Sequence, residues 1–243
     1  MIDIHCHILP MFDDGAADLA ESAAMARLAV NSGVTGIIAP PHFQGDRQAL
    51  ELLPKLLSRF ERLSKMITQQ QIPLKLYPGA EILCTPETVA MAQQQMLPTL
   101  GDSNYLLTEF FFNETAEFIS ATLRSLAACG YRPVIAHPER YDAVQQLPDL
   151  VGEWFSEGIV IQLNKGSLLG AFGSEVQETA EWILSSGLAH TIASDAHSMR
   201  RRTTDMMALR SYLQENCPPR YVQVLLEENP ARIVANQGMV PTQ

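Results

Sequence analysis

The sequence of 243 residues lacks the long apolar run of about 18 residues that a membrane-spanning helix requires. Its N-terminus also lacks the basic region, apolar region and small-residue cleavage site of a secretory signal. Cysteine is scarce, and the four thiols are scattered without C-x-x-C pairing: Cys6, Cys84, Cys129 and Cys217. This pattern excludes a disulfide framework and a zinc ribbon. We therefore expect a cytoplasmic protein with reduced cysteines.

The signatures of several enzyme classes are also missing. No cysteine is followed by arginine at the sixth position, and there is neither a G-x-x-x-x-G-K-[ST] loop nor a G-x-S-x-G turn. These absences exclude thiolate phosphatases, P-loop nucleotide hydrolases and hydrolases with a nucleophile elbow. A formal charge of -10 argues against nucleic acid as a partner. The one basic cluster, Arg200 to Arg202, is either a solvated helix start or an anion-binding group.

The sequence does contain a regular alternation of short β-rich runs and amphipathic helical stretches. Seven runs are identified: Ile2 to Ile4, Thr35 to Ala39, Leu74 to Tyr77, Tyr105 to Thr108, Pro133 to Ala136, Ile159 to Leu163 and Thr191 to Ser194. This alternation is typical of repeated β-α units with a parallel sheet, and we expect one domain over residues 1–243. Periodicity alone does not decide between a barrel and an open doubly wound sheet.

Local signals predict several helix ends. Asp18, with Glu21 three residues later, predicts a capping box. Glycines are expected to end the helices before four of the strands: Gly33, Gly130, Gly158 and Gly187. Pro54 either lies in the first turn of the helical stretch over residues 47–71 or divides that stretch in two. Residues 203–236 are expected to be helical only.

Two histidines directly follow the first run. Because they are two residues apart in an extended segment, His5 and His7 point to the same side. A pair of surface histidines is the alternative, but this spacing after a buried strand favours metal binding. Asp195 and His197 repeat the same spacing after the seventh run.

Most of the other runs are also followed within a few residues by a potential metal ligand. Parallel strands bring their carboxyl ends to one face, where α/β folds collect functional groups. Five of the six histidines lie at such ends, whereas His190 precedes its strand and is expected to be structural. The candidate ligands are His5, His7, Asp14, His42, Glu81, Glu109, His137, Asp195 and His197.

Imidazoles and carboxylates packed this closely are costly to bury unless cations neutralise them, and a metal-free site would need large pKa shifts or a wet cavity. The candidates outnumber the roughly four to six ligands of a single ion, which predicts two or three ions. Donors of these two types without thiolate suit manganese, iron or zinc. Such ions would lower the pKa of a bridging water and withdraw charge from phosphate oxygens. We therefore expect a metal-dependent phosphoester hydrolase in which a metal-bridged hydroxide is the nucleophile.

At these residues the sequence resembles the polymerase and histidinol phosphatase (PHP) superfamily, and within it the bacterial manganese-dependent protein-tyrosine phosphatases of capsule and exopolysaccharide operons. The similarity extends over nearly the whole chain. Its motifs are Met1 to Pro10 with Asp13-Asp14-Gly15, Pro41-His42-Phe43, Gly79-Ala80-Glu81, Glu109-Phe110, Ala136 to Tyr141 and Ser194 to His197. The resemblance implies a distorted (β/α)7 TIM-like barrel of the PHP type that holds three metals, usually manganese.

The resemblance also implies roles for individual residues. One ion would be held by His5, His7, Glu81 and Asp195, a second by Glu81, Glu109 and His137, and the third by Asp14, His42 and His197. In other members of the superfamily histidines usually replace Glu109 and Asp14, so these carboxylates favour the tyrosine phosphatase branch. Arg140 and Arg202 match the family's phosphate-holding arginines, although only spacing distinguishes Arg202 from the two arginines before it.

The expected reaction is therefore hydrolysis of phosphotyrosine, with Arg140 and Arg202 on the phosphate and Asp13 or a metal-bound water as general acid. By resemblance, the substrate is a membrane-bound bacterial tyrosine kinase that regulates polysaccharide synthesis, and neither nucleic acid nor membrane insertion is expected. One alternative is a PHP-type phosphatase of histidinol phosphate or a sugar phosphate, or a phosphodiesterase, with the same metals. Another is a non-catalytic regulatory binding module.

Overall fold

Nine short strands within residues 1–242, the part of the chain described by this computed structural model, form the frame of the fold. They are β1 (Ile2–Asp3), β2 (Gly36–Ala39), β3 (His42–Gln44), β4 (Lys75–Pro78), β5 (Glu81–Leu83), β6 (Tyr105–Glu109), β7 (Arg132–Ala136), β8 (Val160–Asn164) and β9 (Thr191–Ala193). They form two ladders, in the orders β1-β2-β4 and β3-β5-β6-β7-β8-β9. Every pairing is parallel, so the predicted α/β class is confirmed.

Nine strands replace the seven predicted runs because two runs continue, after a break, into the second ladder. β2 stops before two adjacent prolines, which have no N–H to donate to a ladder, and β3 begins after them. β4 and β5 are separated at Gly79, where a Cβ would lie 2.9 Å from the Ile38 side chain. The breaks make His42 and Glu81 direct partners in the register of β3 and β5.

The first and last strands meet at their carboxyl ends. The Asp195 N–H donates to the His5 carbonyl and the His7 N–H donates to the Ala196 carbonyl, each at 2.8 Å. Because β1 also pairs with β2 and β9 with β8, this contact links the two ladders at the carboxyl ends of their strands. The strands thus follow a distorted, barrel-like course.

Helices connect the strands and follow the last one. They are α1 (Leu19–Asn31), α2 (Leu53–Gln69), α3 (Thr88–Gln93), α4 (Ala116–Ala128), α5 (Asp142–Gln146), α6 (Asp149–Ser156), α7 (Lys165–Leu168), α8 (Ser174–Ser185), α9 (Met207–Asn216), α10 (Pro219–Gln223) and α11 (Asn229–Val234). Short 3-10 helices occupy Arg47–Leu52 and Pro138–Arg140, and a π-helical turn occupies Val224–Glu228. No helix within residues 1–242 has both the length and the apolar character needed to cross a membrane.

Apolar side chains from successive strands form a layer beneath the polar end of the fold. A buried cluster contains Ile4, Ile38, Leu107, Val134 and Val160. Glu109 and Gln162 lie two residues beyond Leu107 and Val160, and therefore on the same faces of β6 and β8. The polar site rests on this apolar layer.

Candidate metal centre

The nine side chains predicted as ligands lie together at the carboxyl ends of the strands. Contacts of 3.0 to 3.6 Å between imidazole nitrogens and carboxylate oxygens link all nine of them: His5, His7, Asp14, His42, Glu81, Glu109, His137, Asp195 and His197. The convergence of residues far apart in sequence, on which the metal hypothesis depends, is therefore present.

Glu81 lies at the centre of this cluster and is completely buried. Its Oε1 atom is 3.2 Å from His5 Nε2 and 3.3 Å from His137 Nε2. Its Oε2 atom is 3.2 Å from His7 Nε2 and 3.0 Å from His42 Nδ1. Burial alone would raise the pKa of Glu81, but the charge on His5 and the hydrogen bond from His137 hold it well below its usual value. One carboxylate thus faces four imidazoles.

Three overlapping groups have ligand atoms that all lie within 4.8 Å of one another. They are His7, Asp14, His42 and His197; His5, His7 and Glu81; and His42, Glu81 and Glu109. These groups overlap with the three ligand sets implied by the family resemblance but differ from them in membership. Asp195 and His137 belong to none of the three groups, whereas His7 and His42 each belong to two. His42 approaches Glu109 as closely as His137 does, with separations of 3.5 and 3.6 Å.

The donor set fits divalent cations. Glu81 Oε2 and His197 Nε2 are buried and have no hydrogen-bond partner within residues 1–242, although each lies near groups of opposite polarity. The facing Nε2 atoms of His5 and His7 are only 3.1 Å apart. Burial lowers the pKa of His7, but the hydrogen bond with Asp13 and the nearby charge of Glu81 outweigh it and raise that pKa to about 9. A cation that replaced the proton on these imidazoles would bind both the buried carboxylate oxygens and the buried imidazole nitrogens.

Two of these residues have a strained backbone. His137 has φ 36° and Asp195 has φ 47°, both in the left-handed region. That conformation costs a residue with a Cβ roughly 1 kcal/mol or more of free energy. Backbone strain of this kind is concentrated at functional sites. His137 directly follows β7, and Asp195 lies two residues after the end of β9, so both lie where their strands end at the cluster.

Three further polar residues orient the cluster. His7 Nδ1 lies 2.7 Å from Asp13 Oδ2, and His5 Nδ1 lies 2.9 Å from Gln162 Oε1. The Asn164 amide donates to Asp195 Oδ2 at 2.6 Å. Sequence reasoning missed Gln162 and Asn164, although they are two residues apart at the end of β8, which is the same spacing that identified His5 and His7.

The environment of Asp13 argues against its expected role as a general acid. Its carboxylate accepts hydrogen bonds from the His42 and Gly15 N–H groups in addition to its contact with His7. Burial would raise its pKa, but the hydrogen bond with His7 prevails and lowers the pKa to about 2. A carboxylate held in this way remains ionised and orients His7, as carboxylates beside metal-binding histidines commonly do.

Two arginines lie at the edge of the cluster. Arg202 Nη1 is 3.1 Å from Asp195 Oδ2, and Arg202 Nη2 is 3.6 Å from Asp14 Oδ2. Arg140 Nη1 is 3.5 Å from the same Asp195 oxygen. Arg200 and the arginine after it are exposed, whereas Arg202 is partly buried. Both arginines selected from the sequence therefore lie beside the cluster.

His190 lies away from the site, as expected. It precedes β9, its Nδ1 atom accepts the Ile161 N–H at 3.0 Å, and its ring stacks on Phe155 with centroids 4.6 Å apart. The hydrogen bond joins the segment before β9 to β8, and the stacking joins it to α6, so the contacts of His190 are with the framework of the fold.

Comparison with known proteins finds relatives along the whole chain. The family model for capsular polysaccharide synthesis, CpsB/CapC, matches residues 1–235. The tyrosine-protein phosphatase YwqE of Bacillus subtilis is 35% identical, over 98% of this chain and 92% of its own. The tyrosine-protein phosphatase CpsB of Streptococcus pneumoniae is 29% identical, over 98% of this chain and 99% of its own.

Solved structures give the same relationship. A crystal structure from work on YwqE from Bacillus subtilis and CpsB from Streptococcus pneumoniae, described as metal-dependent tyrosine phosphatases, has a TM-score of 0.88 and 34% identity over 100% of this chain and 98% of that chain. A mutant organophosphorus hydrolase from Deinococcus radiodurans has a TM-score of 0.60 at 15% identity, over 96% of this chain and 92% of that chain. This second likeness shows the fold alone.

Proposed function

The chain belongs to the CpsB/CapC family of capsular polysaccharide synthesis, and on this premise we propose that it is a metal-dependent protein-tyrosine phosphatase. It hydrolyses a phosphoric monoester, the phosphate of phosphotyrosine. The observation that carries the proposal is the convergence of three overlapping groups of imidazole and carboxylate donors beside two arginines. Such a site can hold both cations and a phosphate dianion.

We assign metal binding to the nine clustered side chains and propose manganese as the native metal, with two or three ions. Mixed imidazole and carboxylate donors without a thiolate suit manganese, while iron and zinc are the competing outcomes. When bound, such ions supply Lewis acidity that activates water and neutralises phosphate charge. Residues 1–243 are proposed to act as one domain.

The chain's own residues bind and orient the phosphate. Arg140 and Arg202 each present a planar fork of N–H donors that matches phosphate oxygens, and both face Asp195. The side chains of His42 and Asp14 are 40% and 61% exposed, so we propose that substrate enters on their side. The tyrosine phenol, with a pKa of roughly 10, is a good leaving group and needs little help from a protein acid.

The physiological substrate is proposed to be a membrane-bound bacterial tyrosine kinase that regulates capsule or exopolysaccharide synthesis, and the proposed location is the cytoplasm. The family description supports a role in capsular polysaccharide synthesis, whereas the kinase as partner rests on the family resemblance of the sequence. The acidic composition of the chain provides no general attraction for a phosphopeptide. Recognition therefore depends on the local field of the arginines and bound cations.

The test is a comparison of phosphoesters with the purified, manganese-loaded protein. We expect kcat/KM for a phosphotyrosyl peptide to exceed that for histidinol phosphate by about tenfold or more. His137→Ala should reduce hydrolysis of p-nitrophenyl phosphate by at least about a hundredfold with circular dichroism unchanged, because it removes a proposed ligand. His190→Gln, which changes the histidine outside the site, is the matched control and should retain activity.

Two results would overturn the proposal. Faster turnover of histidinol phosphate would identify a small-molecule phosphatase. Hydrolysis of none of the esters by a metal-loaded, folded protein would identify a binding module.

A further inference from the structure

The guanidinium of Arg140 lies close to two phenyl rings. Its central carbon is 4.4 Å from the ring centre of Phe112 and 4.5 Å from that of Phe172. Only 17% of the Arg140 side chain is exposed. Phe112 follows β6 and Phe172 follows α7, so two separate loops supply the two rings.

Both rings therefore lie within cation–π distance of the guanidinium carbon. All five N–H donors of arginine lie in the guanidinium plane, so stacking does not compete with in-plane hydrogen bonds. One edge already faces the cluster, with Nη1 at 3.5 Å from Asp195 Oδ2. A fork held in this way keeps one orientation, which reduces the conformational entropy lost when it binds an anion.

The loop that carries Phe112 is fastened to the segment that carries Arg140. The Phe112 carbonyl accepts the Asp142 N–H at 2.8 Å. The Tyr141 hydroxyl accepts the Phe110 N–H at 3.2 Å and donates to the Ala136 carbonyl at 2.9 Å. These hydrogen bonds hold the Phe112 loop against the Arg140 segment, and so they fix the distance between Phe112 and Arg140.

The second ring depends on a glycine. A Cβ at Gly166 would lie 2.7 Å from the Phe172 ring, so only the absence of a side chain there allows the ring its present position. The neighbouring backbone is also bound, because the Ala171 N–H donates to the Gly166 carbonyl at 2.8 Å. The loop that carries Phe172 is thus held so that the ring contacts Arg140.

Phe112 has a surface that Arg140 does not use. It is 41% exposed, and its ring meets the His137 ring edge to face with centroids 6.1 Å apart. An exposed phenyl ring beside both a phosphate-binding arginine and a proposed metal ligand is placed to contact the group attached to the phosphate. Aromatic pairs of this kind favour an aryl group over an alkyl group.

We propose that Phe112 and Phe172 form an aromatic clamp that positions Arg140 for phosphate, and that Phe112 also contacts the tyrosine ring and selects aryl phosphates. This inference rests on the proposed phosphatase function. Phe172 acts only as a positioning residue, whereas Phe112 both positions Arg140 and determines specificity.

The experiment compares Phe112→Leu, Phe172→Leu and Gly166→Ala in the manganese-loaded protein, with Phe111→Leu as the matched control. Phe111 is the adjacent exposed phenylalanine. We measure binding of inorganic phosphate by calorimetry, and kcat and KM for p-nitrophenyl phosphate and glycerol phosphate. Phosphate binding does not require turnover, so it tests the clamp separately from the proposed function.

The clamp predicts that all three clamp variants weaken phosphate binding about fivefold or more and raise KM more than they lower kcat. Phe112→Leu should also reduce the preference for the aryl ester by about threefold or more, whereas Phe172→Leu should leave that preference unchanged. Phe112→Tyr should restore both properties, and Phe111→Leu should match the unmodified protein.

Unchanged phosphate affinity in Phe112→Leu and Phe172→Leu would overturn the clamp while leaving the proposed function intact. An unchanged aryl preference in Phe112→Leu would overturn its role in specificity. If the unmodified protein binds phosphate but does not hydrolyse phosphotyrosine, the proposed function fails and so does the assignment of Phe112 to the tyrosine ring.

Discussion

At the scale of single residues, charge and spacing identified the candidate ligands but not the residues that orient them. His5 and His7 could be recognised because two imidazoles separated by one residue follow a strand. Gln162 and Asn164 have the same spacing at the end of β8, but a neutral amide gives no charge signal in a sequence. Their role depends on contacts with residues more than 30 positions away, which spacing cannot predict.

Gln162 provides a test at this scale. Gln162→Leu removes the oxygen that lies 2.9 Å from His5 Nδ1, so His5 loses the group that orients its ring. Because partners of this kind commonly contribute 10- to 100-fold to metal affinity, we expect manganese binding to weaken by roughly that factor. Calorimetric titration of the metal-free protein measures it, with Gln162→Glu as the control that keeps an oxygen in place. Equal affinity in Gln162→Leu and the unmodified protein would contradict the prediction.

At the scale of elements, the signals that act within a few residues predicted structure well. Glycines end four helices with φ of 91°, 91°, 83° and 70°: Gly33, Gly130, Gly158 and Gly187. The Asp18 side chain accepts the Glu21 N–H at 2.8 Å, but Glu21 accepts from Ala17 rather than from Asp18. Pro54 lies in the first turn of α2, and a 3-10 helix precedes it, so both readings of that stretch apply in part.

The breaks that divide β2 from β3 and β4 from β5, within the second and third predicted runs, were not predicted. Each continuation is only three residues long, and its strand character arises from pairing with a distant neighbour rather than from its own composition. A run of this length has no periodicity that could be read from the sequence. The breaks nevertheless decide the site, because they bring His42 and Glu81 into register.

Gly15 tests how closely the loop after β1 is packed on the site. A Cβ at Gly15 would lie 2.1 Å from the His7 carbonyl oxygen, which belongs to the backbone and cannot rotate away. Gly15→Ala should therefore lower the free energy of unfolding by roughly 2 kcal/mol and weaken manganese binding, because His7 must shift.

Urea unfolding measures the stability of this variant, and α6 supplies the matched control. At Gly152 nothing lies within 4 Å of the added Cβ, so Gly152→Ala should raise stability by about 0.5–1 kcal/mol. A Gly15→Ala protein as stable as the unmodified one would show that the loop can move without cost.

At the scale of the whole molecule, the sequence predicted that the candidate ligands converge on one face of the fold. It did not predict how the strands are arranged to bring them there. The choice between a barrel and an open sheet depends on whether the first and last strands touch, and those strands are far apart in the chain. Hydrophobic periodicity describes each strand separately and contains no information on that contact. The polar residues were more informative, because His5, His7, Asp195 and His197 could share cations only if the ends of β1 and β9 met.

The opposite end of the fold carries a pH-dependent contribution to stability. Burial lowers the pKa of His190 to about 4 in the folded protein, against 6.5 for an ordinary histidine. Above pH 6.5 both folded and unfolded chains keep this ring neutral, so stability is unaffected. Between pH 6.5 and about 4 the unfolded chain binds a proton that the folded chain does not, so stability falls as the pH decreases. This difference in pKa between the folded and unfolded chains changes the free energy of unfolding by roughly 3 kcal/mol at most.

His190→Gln isolates this contribution, because glutamine does not titrate in this range and the other ionisable groups are common to both proteins. We expect His190→Gln to be less stable than the unmodified protein at pH 7.5, since the ring loses its stacking on Phe155. The difference should narrow progressively as the pH falls towards 4.5, because only the unmodified protein loses the histidine contribution. Urea unfolding of the chelator-treated proteins across this range measures both curves. Parallel curves would show that His190 takes up its proton equally well in the folded chain and would refute its burial in a neutral form.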